Sequence, residues 1–326
     1  MSDDIHAWLT EDGADWRSFD MGIDGQVLTV ARCRRGAGPT VLVTGGTHGD
    51  EYEGQVAVAE LARAAPSLEM AGTLICLPRH NVGACRAGTR ENPKDGVDIN
   101  RIYPATDGDT DAHAVARVVG RLVASVDWLI DLHSGGRSHE FVPSANLQAR
   151  VGSEEDLSMR PVLRAFGAPW TIVFDEVEDA SMPHTGTLEG FARACGVRCV
   201  SSELGGGGRV GVEALEVARN GLRGVLHHIG VLESGPPPRP TTFLRLDDVR
   251  HGVEAPAIGI VEPVAALGQA VREGEVVARI WPDDPAGAPV EAVARCDGVL
   301  AAIAASGRVD TQERLAFVCE RIPEEN

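Results

Sequence analysis

Short apolar runs rich in β-branched residues recur along the first two-thirds of the chain, and alanine-rich stretches lie between them. The runs at 41–44, 73–77, 128–132, 170–174 and 197–201 have the length and character of buried strands. Segments 54–65, 112–125, 188–195 and 212–229 carry apolar residues at helical spacing. This alternation predicts an α/β fold: a mixed, mainly parallel sheet flanked by helices. At Gly235-Pro236-Pro237-Pro238-Arg239-Pro240 the pattern breaks, because the prolines cannot continue a helix and hold the backbone extended. We expect one large domain over residues 1–235. The valine- and alanine-containing runs after the break, punctuated by glycine, predict a small all-β domain over 241–326.

Polar residues gather where the strand-like runs end. Val41-Leu42-Val43 leads into Gly45-Gly46-Thr47-His48-Gly49-Asp50-Glu51, and the run at 128–132 delivers His133. Ligands of α/β proteins bind beyond such strand ends, and the flanking glycines permit sharp turns there. Two imidazoles and one carboxylate are the protein ligands of a catalytic zinc that keeps a position open for water. Asp131 shares a strand face with His133. It either orients that ligand from behind or caps a nearby helix. Glu203 ends another run, before four glycines at 205–208. A carboxylate beside an activated water can shuttle protons; the alternative is a solvated loop glutamate. Arg86, Arg90, Asn100 and Arg101 lie on one long connection. Arginine grips carboxylates as a planar fork, or else forms ordinary surface ion pairs.

Bulk properties narrow the partners. A formal net charge of −18 speaks against nucleic acid and anionic membrane, and no apolar run approaches the roughly 18 residues of a membrane span. Residues 1–20 lack the pattern of a signal peptide. The seven cysteines are scattered and lack CxxC spacing, which predicts free thiols in a reducing cytoplasm.

The motifs GGTHGDEYEG (45–54), RAGTR (86–90), DINRIYP (98–104), DLHSGG (131–136) and ELGGGG (203–208), in this order, resemble the succinylglutamate desuccinylase/aspartoacylase family. That resemblance spans residues 20–326 and implies a zinc carboxypeptidase-like fold. It implies that His48, Glu51 and His133 bind one zinc (Zn2+) per chain and that Glu203 is the general base and acid. Arg90 would polarise the acyl carbonyl, while Asn100 and Arg101 would hold the carboxylate of the amino-acid part. HGDEYEG, HSGG and ELGGGG are most similar to the branch containing N-α-acetyl-L-2,4-diaminobutyrate deacetylase. Tyr103 stands where that pattern leads us to expect phenylalanine.

The implied activity is zinc-dependent hydrolysis of the amide bond of a small N-acyl amino acid. The alternatives are a deacylase of N-acetyl-aspartate or N-succinyl-glutamate, a carboxypeptidase-like peptidase, and a non-catalytic ligand-binding protein, against which Glu203 counts. A basic side chain on the substrate would require a nearby acid; Asp50, Glu53, Asp175, Glu176 and Glu178 are the candidates. Segment 175–187, polar and unpatterned, reads as a lid carrying His184. Residues 241–326 resemble barrel-sandwich modules of the biotinyl/lipoyl type. That region has no lysine to carry a prosthetic group, so its expected role is packing or homo-oligomer assembly.

Overall fold

Most of the predicted runs form strands and helices within a residue or two of their expected ends. A computed structural model describes residues 8–21, 27–175 and 186–323. In chain order, the first half contains β1 (Gly13–Asp20), β2 (Val27–Arg35), β3 (Thr40–Gly45), α1 (Tyr52–Ala64), β4 (Gly72–Leu77), α2 (Val82–Ala87), α3 (Asp111–Val123), β5 (Trp128–His133), β6 (His139–Phe141), β7 (Ser144–Gln148) and α4 (Glu154–Phe166). There follow β8 (Trp170–Phe174), α5 (Leu188–Ala194), β9 (Arg198–Glu203), α6 (Val212–His228), β10 (Thr242–Leu246), α7 (Asp248–His251), β11 (Gly252–Glu254), β12 (Gly259–Pro263), β13 (Ala270–Val271), β14 (Val276–Trp281), β15 (Val290–Val293), β16 (Gly298–Ala304), β17 (Arg308–Val309) and β18 (Arg314–Arg321).

One mixed sheet runs β1-β2-β4-β3-β5-β9-β7-β8-β10-β18-β16-β13. Its centre, β4-β3-β5-β9, is parallel. Each of β4 and β5 is buried along its whole length, as strands covered on both faces must be. Side chains alternate between two cores. Val41 and Val43 face α1, α4 and α6, whereas Leu42 and Leu129 face α3 and α5.

Several elements escaped the pattern, α2 and β6 among them. The β1–β2 hairpin is half exposed and forms the antiparallel edge. Strand β7, Ser-Ala-Asn-Leu-Gln, is polar, yet it is buried between β9 and β8. Helix α4 contains Pro161, and Ser153 caps it by accepting from the Asp156 N–H.

The sheet does not stop at the proline linker. β10 adds to β8 in parallel register, β18 pairs β10, and β16 pairs β18. β16 also pairs β6, setting Ala302 opposite Phe141 and Ala304 opposite His139. A second antiparallel sheet, β15-β14-β12-β17, closes over a core of its own.

Candidate metal centre and active site

The order of the central strands creates the site. Chain leaving β3 passes through α1 to β4 on one side, while β5 lies on the other, so a crevice opens beyond the ends of β3 and β5. His48 and Glu51 occupy the turn after β3. His133 ends β5, and parallel register sets it directly beside Glu203 at the end of β9. Gly49 lets the turn lie against α2: a Cβ there would meet the Ala84 carbonyl carbon at 2.0 Å. Gly206, at φ +133°, threads the glycine loop past the His139 carbonyl, 2.2 Å from where a Cβ would stand. Gly207 N–H donates to that same oxygen at 3.0 Å and Gly208 N–H to Gly136 O at 2.7 Å, tying the loop to the strand end that carries His133.

His48, Glu51 and His133 are buried together. His48 Nδ1 lies 2.6 Å from Glu51 Oε1, and His133 Nδ1 lies 2.9 Å from Glu51 Oε2. The outer nitrogens meet two further acids: His48 Nε2 stands 3.1 Å from Asp98 Oδ1, and His133 Nε2 stands 2.9 Å from Asp131 Oδ2. Ionised carboxylates only accept, so with each Nε2 carrying a proton a bare Nδ1 lone pair would face the Glu51 carboxylate. A proton or a cation must fill both gaps. Ligand atoms of the three residues lie within 4.8 Å of one another, so they could hold one metal ion, with Asp98 and Asp131 fixing the rings from behind.

Charge supports the same fit. Glu51, Asp98, Asp131, Glu189 and Glu203 surround two imidazoles and Arg90, so acids outnumber bases even with both rings protonated. Burial pushes the Glu51 carboxyl up, but the two imidazoles outweigh it and hold Glu51 well below the usual carboxylate range. Burial pushes His133 down, and Asp131 and Glu51 reverse that and raise it. At Glu203 the imidazoles and Arg90 act too weakly to offset burial. Burial, reinforced by repulsion from Glu51, pushes it up to about 8, and among the described residues its Oε2 is buried without a hydrogen bond. Such an atom faces a missing proton or cation.

The other expected residues reach the same cavity. Arg90, half exposed, stacks its donors on Asp98 Oδ2 at 3.0 Å and stands 3.4 Å from His48 Nδ1. Arg101 lines the cavity, with one nitrogen donating to Asn100 O at 2.8 Å. Asn100 is largely committed to the protein. Its Oδ1 accepts from the Leu188 N–H at 2.7 Å and its amide bonds Glu189, which leaves one N–H donor free. Arg86 is absent from this cavity and lines a groove beside α1. Asp131 orients His133 and also accepts from Thr44 and Thr47; it caps no helix. Asp50 and Glu53 turn away, accepting from the Arg137 and Gly211 N–H groups. Asp175 is ion-paired to Arg245. Glu176, Glu178, His184 and most of the expected lid lie outside the described residues.

Sequence reasoning missed five contributors, Asp98 behind His48 among them. Glu189, on the first turn of α5, comes within 3.5 Å of His133 Nε2. Asp248, Arg314 and Phe317 come from the tail, which the β6–β16 pairing draws over the site. Phe317 stacks near His139 and Phe141, and His139 Nε2 bonds Arg314 O at 3.0 Å. The described residues enclose about 520 Å³, within the range of roughly 300–1,000 Å³ for small-molecule sites.

Residues 37–229 match the model of the succinylglutamate desuccinylase/aspartoacylase catalytic domain. This chain belongs to that family. Its fold is the family's fold, and it is an amide-hydrolysing enzyme. Among its relatives is the N-α-acetyl-L-2,4-diaminobutyric acid deacetylase of Halomonas elongata, 34% identical over 90% of this chain and 86% of that protein. Among solved structures, the product-bound ectoine utilization protein EutE (DoeB) of Ruegeria pomeroyi superposes with a TM-score of 0.87, at 32% identity over 96% of each chain. A succinylglutamate desuccinylase from a Silicibacter species also reaches 0.87, at 31% identity over 96% of this chain and 97% of that one. Among the described residues, no helix is long and apolar enough to cross a membrane.

Proposed function

We propose that this family member is a zinc-dependent deacylase of small N-acyl amino acids, with N-α-acetyl-L-2,4-diaminobutyrate its preferred substrate. The observation that carries the reading is the pair of inward-facing Nδ1 atoms around Glu51, each ring held from behind by a carboxylate, beside a buried Glu203 oxygen with no hydrogen-bond partner among the described residues. His48, Glu51 and His133 would hold one zinc. Borderline-soft zinc suits this two-nitrogen, one-oxygen set, and when bound it supplies Lewis-acid polarisation and brings a coordinated water toward neutral pKa.

The chain's own groups perform the rest. Glu203 takes the proton from the attacking water and returns it to the departing amine. Arg90 donates to the acyl oxygen as negative charge develops on it. Arg101 and the free N–H of Asn100 hold the substrate carboxylate. The products are acetate and the free amino acid. The diaminobutyrate preference rests on the Halomonas relative. Seven free cysteines suit a reducing cytoplasm as the place of action.

The test compares kcat/KM for N-α-acetyl-L-2,4-diaminobutyrate, N-acetyl-aspartate and N-succinyl-glutamate. The diaminobutyrate derivative should be cleaved fastest; preference for either acidic substrate overturns the substrate reading and leaves the metal reading standing.

A further inference from the structure

The reaction above leaves one buried acid of the cavity without a task. Glu189 is 9% exposed, lines the cavity, and has an Oε2 with no hydrogen-bond partner among the described residues. Among the described residues its ion-pair partner is His133 alone, at 3.5 Å through the other oxygen, Oε1. His133 Nε2 is already engaged by Asp131 at 2.9 Å, so Glu189 is the more distant and redundant of its two acids. A buried carboxylate oxygen is costly unless a donor or cation meets it.

Its position indicates which cation. Glu189 accepts from the Asn100 side chain, next to Arg101, where the substrate carboxylate would bind. A short substrate anchored there places the end of its side chain within a few bond lengths of the anchor. With Arg101 matched by the substrate carboxylate, a divalent metal ion and Arg90 still leave the five acids of the site in excess, which favours a positive group on the substrate.

We propose that Glu189 is the specificity-determining residue that receives the side-chain ammonium of a basic N-acyl amino acid and repels acidic ones. The assignment rests on the deacylase reading above. Other cavity acids fit less well. Glu51 and Glu203 belong to the chemistry, and Asp248 is an exposed acid answered by Arg314 at 3.3 Å.

Glu189→Gln keeps the shape and the capacity to accept from Asn100 while removing the charge. Zinc content, kcat and KM are measured for wild type and variant on N-α-acetyl-L-2,4-diaminobutyrate, on its uncharged isostere N-acetyl-L-norvaline, and on N-acetyl-aspartate. Losing one charge-assisted contact should lower kcat/KM for the diaminobutyrate derivative about 10- to 100-fold. The norvaline derivative should change less than about threefold, N-acetyl-aspartate should rise, and zinc should stay at one per chain. Equal losses on the charged substrate and its isostere would make Glu189 a structural or positioning residue and overturn the proposal. So would loss of zinc, or a preference abolished by Asp248→Asn and retained in Glu189→Gln. A wild-type enzyme indifferent to side-chain charge defeats the diaminobutyrate reading itself, which separates that failure from a failure of Glu189.

Discussion

The floor and the rim of this cavity are built in opposite ways. Floor residues His48, Glu51, His133 and Glu203 stand at the ends of adjacent parallel strands, nearly all buried, and their geometry follows from strand register. Rim residues Asp248, Arg314 and Phe317 come from beyond the proline linker and arrive through the β6–β16 and β10–β18 pairings. The floor has little freedom. Each imidazole is fixed at both nitrogens, so a small displacement breaks two interactions. The rim consists of partly exposed side chains whose ion pairs contribute roughly 0–1 kcal/mol each. Chemistry therefore belongs to the floor, and access and fit to the rim.

The largest expected effect is at the floor. Glu203→Gln should keep zinc in place and lower kcat by about 10²–10⁴, the contribution of a general base. Near-normal turnover in a zinc-replete variant would move the base elsewhere. The pH profile sharpens the point. Glu203 must be ionised to accept a proton, and burial with repulsion from Glu51 raises it to about 8 without a metal. A nearby cation favours the ionised form and brings the value down. The acidic limb of kcat/KM should thus lie above the ordinary glutamate value of 4.5 and no higher than about 8, with activity lost as pH falls through it.

A smaller effect should follow from loosening a ligand from behind. Asp131→Asn replaces the acceptor of His133 Nε2–H, and such outer partners are worth about 10- to 100-fold in metal affinity. Competition titration with a chelator measures it, and unchanged affinity would reduce Asp131 to a packing role. The smallest effect belongs to the rim. Phe317→Ala should raise KM a few-fold with zinc and kcat retained; loss of zinc would show that the tail shapes the floor as well.

The same division decided what the sequence could reveal. Strands β3 and β5 are built on short apolar runs, and polar residues at their ends are visible in a linear chain. Asp131 was legible for a similar reason, since it shares a strand face with His133. Asp98 and Glu189 were not. One lies on an irregular loop and the other on the first turn of a short helix, and their partners are 50 and 56 residues away in sequence. Strand β7 was hidden because its burial comes from neighbours and its own side chains are polar. The tail read as packing because it carries no motif. Only tertiary pairing brings Phe317 and Arg314 to the cavity.

The central claim is that one zinc held by His48, Glu51 and His133 makes this fold a hydrolase. The most direct measurement is to strip the purified enzyme of metal and titrate zinc back while following hydrolysis of N-α-acetyl-L-2,4-diaminobutyrate. The rate should start near zero, rise in proportion to added zinc, and break at one equivalent per chain. Full activity in the stripped enzyme, or no recovery with zinc, would contradict the account.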